Sequence, residues 1–242
     1  MEKHSKINIL LLIFSVMVLY SITITAFKNG LPTCKNYVMN TYLYLALSIC
    51  FMYYIIINFK EYFEYSLFAF IVGIIVLITM SFIQNDNAQA VITHHMLWIV
   101  FLVCLSFMTI PIVKFSAIEN IYFALFATFL IFLVMSMIVY IYPTFFESTF
   151  HFAFSGLLLA LITIIIIELY YIFIKGKYPE NMFRIISYIV IVVFSLFISY
   201  DTSLMFEEAK ICRKYANYPR SSLKFILDIV NIFVRTLGLQ SR

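Results

Sequence analysis

Eight stretches of about 20 residues, nearly free of charge, dominate this chain and exclude a water-soluble fold. They are residues 7–27, 37–59, 65–83, 93–113, 121–142, 151–174, 185–206 and 221–239. A helix crosses the hydrocarbon core of a bilayer with about 20 apolar residues. Charged residues make up 12% of the chain, against about 25% in a soluble domain. With a mean hydropathy of +1.02, the chain has too little polar surface to face water on all sides. The expectation is an all-α fold, a polytopic transmembrane bundle of seven or eight helices. Residues 1–242 read as a single multi-pass membrane domain with short loops and no soluble module.

Local breakers separate the runs. Lys28-Asn29-Gly30-Leu31-Pro32 interrupts the first pair, Pro111 and Lys114 stop the fourth run, and Pro143 stops the fifth. Asn85-Asp86-Asn87 is a polar turn, and Lys175-Gly176-Lys177 closes the sixth run. Gly73 reads as a point where the third helix packs closely on a neighbour. Residues 7–27 resemble the core of a signal peptide but are too long and lack an Ala-x-Ala site, so a retained span is expected. With eight spans and residue 1 in the cytoplasm, the inner faces hold eight basic residues: Lys3, Lys6, Lys60, Lys114, Lys175, Lys177, Arg184 and Arg242. The outer faces then hold six: Lys28, Lys35, Lys210, Arg213, Lys214 and Arg220. So small an excess does not decide orientation.

The net charge of +4 is spread over loops and forms no basic stripe, so nucleic acid is excluded as a partner and the lipid bilayer is the expected one. Of four cysteines, Cys50 and Cys104 lie inside apolar runs, and Cys34 and Cys212 lie in loops where spacing alone does not pair them. There is no CxxC. His94-His95 reads as a polar cap on the fourth run, without companions at metal-ligand spacing. No phosphate loop, nucleophile elbow or triad signature occurs, so an enzyme and a resident cofactor are not expected.

The chemistry concentrates in the last fifth. Asp201 lies near the end of run 185–206, and Asp228 lies in the middle of run 221–239. A carboxylate inside a span costs about 2.5–3.5 kcal/mol on insertion scales, so each needs a protein or water partner. Lys224, Asp228, Asn231 and Arg235 share one helical stripe, because residues three, four and seven apart lie on one face. That stripe is either a structural pairing of Asp228 with Lys224 or Arg235, or the lining of a path. Asp201, followed by Thr202 and Ser203, suits either a helix end at the interface or the same path. Glu168 either reaches the surface and pairs with Lys175, or lines that path. Glu207 and Glu208 read as solvated residues at the membrane edge.

Two motifs now bear on identity. Ser199-Tyr200-Asp201-Thr202-Ser203-Leu204-Met205 resembles the "YDTQLI" helix end of the Bax inhibitor-1 (transmembrane Bax inhibitor motif) family. The stretch from Ser222 through Asp228 to Phe233 resembles that family's "LxLYLDIINLF" last helix. The residues between, Ala209-Lys210-Ile211-Cys212 and Asn217-Tyr218-Pro219, resemble the variants carried by large DNA viruses. The family shows seven apolar runs and this chain eight, and residues 151–174 are read as the additional one.

The resemblance implies a membrane protein of the endoplasmic reticulum, Golgi or another host membrane that dampens cell death and leaks calcium in a pH-sensitive way. It implies that Asp201 and Asp228 share a proton, sense pH and transiently ligate calcium, the permeant ion. It also implies partners among membrane proteins of cell-death pathways. The family's partner arginine has no counterpart, since no arginine precedes Arg184. Lys224 or Arg235 is the expected substitute latch, with Asn231 and Glu168 nearby. Two other classes remain open: a proton-coupled transporter with Glu168, Asp201 and Asp228 as a relay, and a non-conducting protein that binds membrane partners.

Overall fold

The computed structural model describes residues 2–83, 87–176 and 179–241. Asn85 and Asp86 of the expected turn, Lys177 and Arg242 lie outside them. Every apolar run is a helix: α1 (Glu2–Thr25), α2 (Tyr37–Asn58), α3 (Ser66–Phe82), α4 (Ala88–Lys114), α5 (Ile118–Ile141), α6 (Pro143–Phe173), α7 (Glu180–Ile211) and α8 (Tyr218–Gln240). A 3-10 segment, Lys60–Tyr65, precedes α3. The chain is thus a polytopic helical membrane protein.

The break after α1 is a two-residue hairpin turn joining β1 (Phe27–Lys28) to β2 (Leu31–Pro32). Asn29 and Gly30 sit at φ of 53° and 76°, the left-handed pair that a tight hairpin demands. Pro111 does not stop its helix. α4 runs through it to Lys114, because a proline close to the last turn removes one backbone donor without unravelling the turns before it. Pro143 does mark a boundary and opens α6 at its first turn, where the missing N–H has no partner to lose.

Among the described residues, six helices have the length and apolarity of a membrane span: α2, the Lys60–Phe82 segment containing α3, α4, α5, the Phe154–Tyr171 stretch of α6, and α7. Several hydroxyls within them bond back along their own helix, whereas the buried hydroxyls of Thr128 and Ser187 have no partner among the described groups. Ser48, Ser106, Thr109, Thr163 and Ser195 each donate to the carbonyl four residues back. Faces rich in exposed Leu, Ile and Phe, such as Leu67, Phe68 and Ile75 on α3 and Phe126 and Phe129 on α5, suit acyl chains and would aggregate in water. α8 differs. It is the most charged of the apolar runs, yet along its length only Arg220 and Gln240 are exposed.

The chain divides into two compact units, and α7 and α8 each contribute to both. Unit 1 comprises Met1–Lys114 and Phe206–Ile226. In it α1 packs on α2, and α4 packs on α2 and α3. Gly73 of α3 faces Cys104 and Phe101 of α4, where an added Cβ would stand 3.5 Å from the Cys104 Cβ. That is an ordinary van der Waals distance, so the packing is close without requiring glycine. Unit 2 comprises Phe115–Met205 and Leu227–Arg242. Its core gathers Ile164 of α6, Val190, Phe194 and Ile198 of α7 and Ile232 of α8, with Ile131 and Met135 of α5 against them.

Candidate functional site

Asp201 and Asp228 meet in unit 2. On α7, Ile198, Asp201, Thr202 and Met205 follow one another at helical spacing and are all buried, so the helix turns Asp201 inward with its apolar face. On α8, Asp228 is 5% exposed, next to Ile232 one turn on. The Asp228 carboxyl hydrogen-bonds that of Asp201. Its Oδ2 has no partner among the described groups and remains an open acceptor.

A hydrogen bond between two carboxyls requires a hydrogen on one of them. Two bare carboxylates about 4 Å apart would repel by about 4 kcal/mol at an effective dielectric of 20. Where two carboxyls stand this close, any titration is a property of the pair rather than of either residue. Beside Asp201, Thr202 donates to the Ile198 carbonyl at 2.7 Å and lies 3.3 Å from the Ser136 hydroxyl of α5. Ser199 donates to the Met135 carbonyl at 3.4 Å. These bonds tie α7 to α5 on either side of the carboxylate.

The basic residues of the α8 stripe, the expected latch, are engaged by glutamates of other helices. Arg235 makes a two-pronged ion pair with Glu168 of α6, at 2.6 and 2.7 Å. Lys224 pairs with Glu208 of α7 at 2.8 Å. The Arg235 guanidinium reaches across to α6, where a two-pronged geometry is open to it, and Asp228 has Asp201 instead. Glu168 accordingly pairs with Arg235 rather than with Lys175. Asn231 turns back to the Leu227 carbonyl of its own helix at 2.8 Å.

Sequence reasoning placed Glu208 in solvent. In unit 1 it is three-quarters covered and accepts from Ser221 at 2.6 Å, Lys224 at 2.8 Å and Tyr37 at 3.2 Å. The available signal was the spacing of Ser221 and Lys224, three apart on one face of α8. Nearby, Tyr218 donates to the Thr33 carbonyl, accepts from Asn40 at 3.2 Å and stacks on Tyr44. His94 and His95 are no solvated cap either. His94 is fully buried, and His95 bonds the Tyr44 hydroxyl at 2.9 Å. Cys34 and Cys212 form a disulfide, a pairing that spacing alone left open.

What stands is a helical membrane bundle whose last two helices bring a pair of carboxyls together. The model of the family described as "Inhibitor of apoptosis-promoting Bax1" matches residues 34–240, and the chain belongs to that Bax inhibitor-1 family. No curated protein matches it. The match takes in α2 to α8 and leaves α1 outside. Among the described residues, no group of three or more His, Cys, Asp or Glu side chains gathers as a metal site.

Proposed function

We propose that the protein is a pH-gated calcium leak of an intracellular membrane, of the endoplasmic reticulum or Golgi, which tempers cell death by lowering stored calcium. The Asp201–Asp228 hydrogen bond carries this reading. With its proton in place, the pair ties α7 to α8 and presents a single charge. Loss of the proton leaves two carboxylates in a poorly solvated site, and their repulsion drives the helices apart. The same event supplies hard oxygen ligands. Ca²⁺ takes six to eight oxygens, and two carboxylates provide four at most, with water supplying the rest. Such a site binds weakly enough to release its ion, as conduction requires.

The Glu168–Arg235 pair takes the part of the latch. Arg235 lies two turns beyond Asp228 on the same face of α8, and Glu168 holds it to α6. That anchor fixes the part of α8 adjacent to the aspartates, so opening works against a defined support.

The test is Ca²⁺ efflux from proteoliposomes between pH 5 and 8. Wild type should leak less as pH falls through the titration of the pair. Asp201→Asn and Asp228→Asn should each flatten the pH response, and the double variant should be no more pH-sensitive than either. An unchanged pH profile in Asp228→Asn would sink the mechanism. A wild-type protein that does not leak would favour the reading as a non-conducting protein bound to membrane partners of cell-death pathways.

A further inference from the structure

The disulfide offers what the charge count did not, a way to tell the two faces of unit 1 apart. Cys34 follows the β-hairpin after α1, and Cys212 follows α7, 178 positions later. The segments around them are also held without the bond. Tyr218 donates its hydroxyl toward the carbonyls of Thr33 and Lys35, which flank Cys34, and Asn40 donates to the Lys35 carbonyl at 2.9 Å. The thiols are thus brought together by the fold itself, and the disulfide locks an approach that the backbone already makes.

The other end of unit 1 is equally well defined. α2 has 22 residues, about 33 Å at 1.5 Å per residue, and carries the chain from Tyr37 beside the disulfide to Lys60. α4 starts near the hairpin, where His95 lies against Phe27 and bonds Tyr44. It ends at Lys114, whose amine pairs with Glu61 at 2.9 Å. A helix of that length spans the hydrocarbon core, so Cys34–Cys212 and the Lys60/Lys114 cluster lie on opposite sides of the membrane.

We propose that Cys34–Cys212 is an oxidation site facing the lumen of the secretory pathway or the cell exterior, and that it places Lys60, Lys114 and the residue-2 end of α1 in the cytosol. Disulfides persist in oxidising compartments and are kept reduced in the cytosol. One cysteine thiolate attacks an oxidised disulfide carrier of that compartment and forms a mixed disulfide. The second thiolate displaces the carrier. The pair loses two protons and two electrons, and the carrier leaves as a dithiol. The proposal does not depend on calcium conduction.

The test begins with the wild-type chain in microsomes. Alkylation after denaturation without reductant should modify two of the four cysteines, Cys50 and Cys104, and all four after reduction. More than two modified before reduction overturns the disulfide. The second arm uses a Cys50→Ser, Cys104→Ser, Cys212→Ser chain, which leaves Cys34 as a single thiol. In sealed microsomes a membrane-impermeant maleimide–polyethylene glycol should leave it unlabelled, and detergent opening should label it nearly completely. Labelling in sealed vesicles overturns the orientation. Should the triple variant fail to accumulate, a glycosylation cassette placed between Lys28 and Leu31 of the otherwise wild-type chain reads the same face. Glycan addition supports the proposal, and its absence on an inserted chain overturns it.

Discussion

At the scale of the residue, the chain answers each buried charge with a specific partner. Arg235 and Glu168 are about a fifth exposed and joined by two bonds. Removing one partner strands the other, whereas removing both removes the demand. Glu168→Gln should therefore lower thermal stability in detergent by about 1–3 kcal/mol, discounted from the range for fully buried pairs. Glu168→Gln combined with Arg235→Gln should be less destabilised than Arg235→Gln added to wild type would suggest by additivity. Tyr218 makes a simpler case. Its ring stays useful in the stack with Tyr44, but its hydroxyl serves Thr33, Lys35 and Asn40. Tyr218→Phe should cost about 1–3 kcal/mol, the range for leaving buried polar partners unsatisfied, read as a lowered melting midpoint.

At the scale of the element, packing is more forgiving. Gly73→Ala would set its new methyl 3.5 Å from Cys104, in ordinary contact, and would remove a flexible residue from the middle of α3. The variant should melt within about 1 kcal/mol of wild type or slightly above it, and a large loss would show that α3 and α4 approach more closely than their Cβ distance indicates. Helices were the legible part of the sequence. Every apolar run became one, because lipid leaves the backbone no other economical way to pair its polar groups. Their ends were less legible. α4 passes Pro111, and α7 reaches Ile211 where charge had suggested an end at 206, because Glu208 finds Ser221, Lys224 and Tyr37. The inward aspartates were readable from their cost in lipid. The partners of Lys224 and Arg235 were not, since helical spacing reports neighbours on the same helix and says nothing of glutamates brought in by others.

At the scale of the whole molecule, the family match and the helix order give α1 a separate standing. It precedes the matched region, and the hairpin of Asn29 and Gly30 turns it back onto α2. Deleting residues 1–26 should leave a chain that still enters membranes, because the spans of α2 to α7 remain. It should also remove one crossing, so Cys34 of the truncated chain should become reactive from the cytosolic side of sealed vesicles and the disulfide should be lost. A truncated chain with Cys34 still sequestered would show that α1 does not set the direction of entry.

The polarity of α8 also bears on how the protein is made. A segment with Arg220, Lys224, Asp228 and Arg235 partitions poorly into bilayer when it leaves the ribosome, however well it fits the finished bundle. Its entry has to be assisted by helices already in place, with Asp201 and Glu168 waiting as receptors for its charges. Translation order meets that need, since α6 and α7 emerge first. A fault in either receptor would then appear as failed integration of α8 and early degradation of the chain.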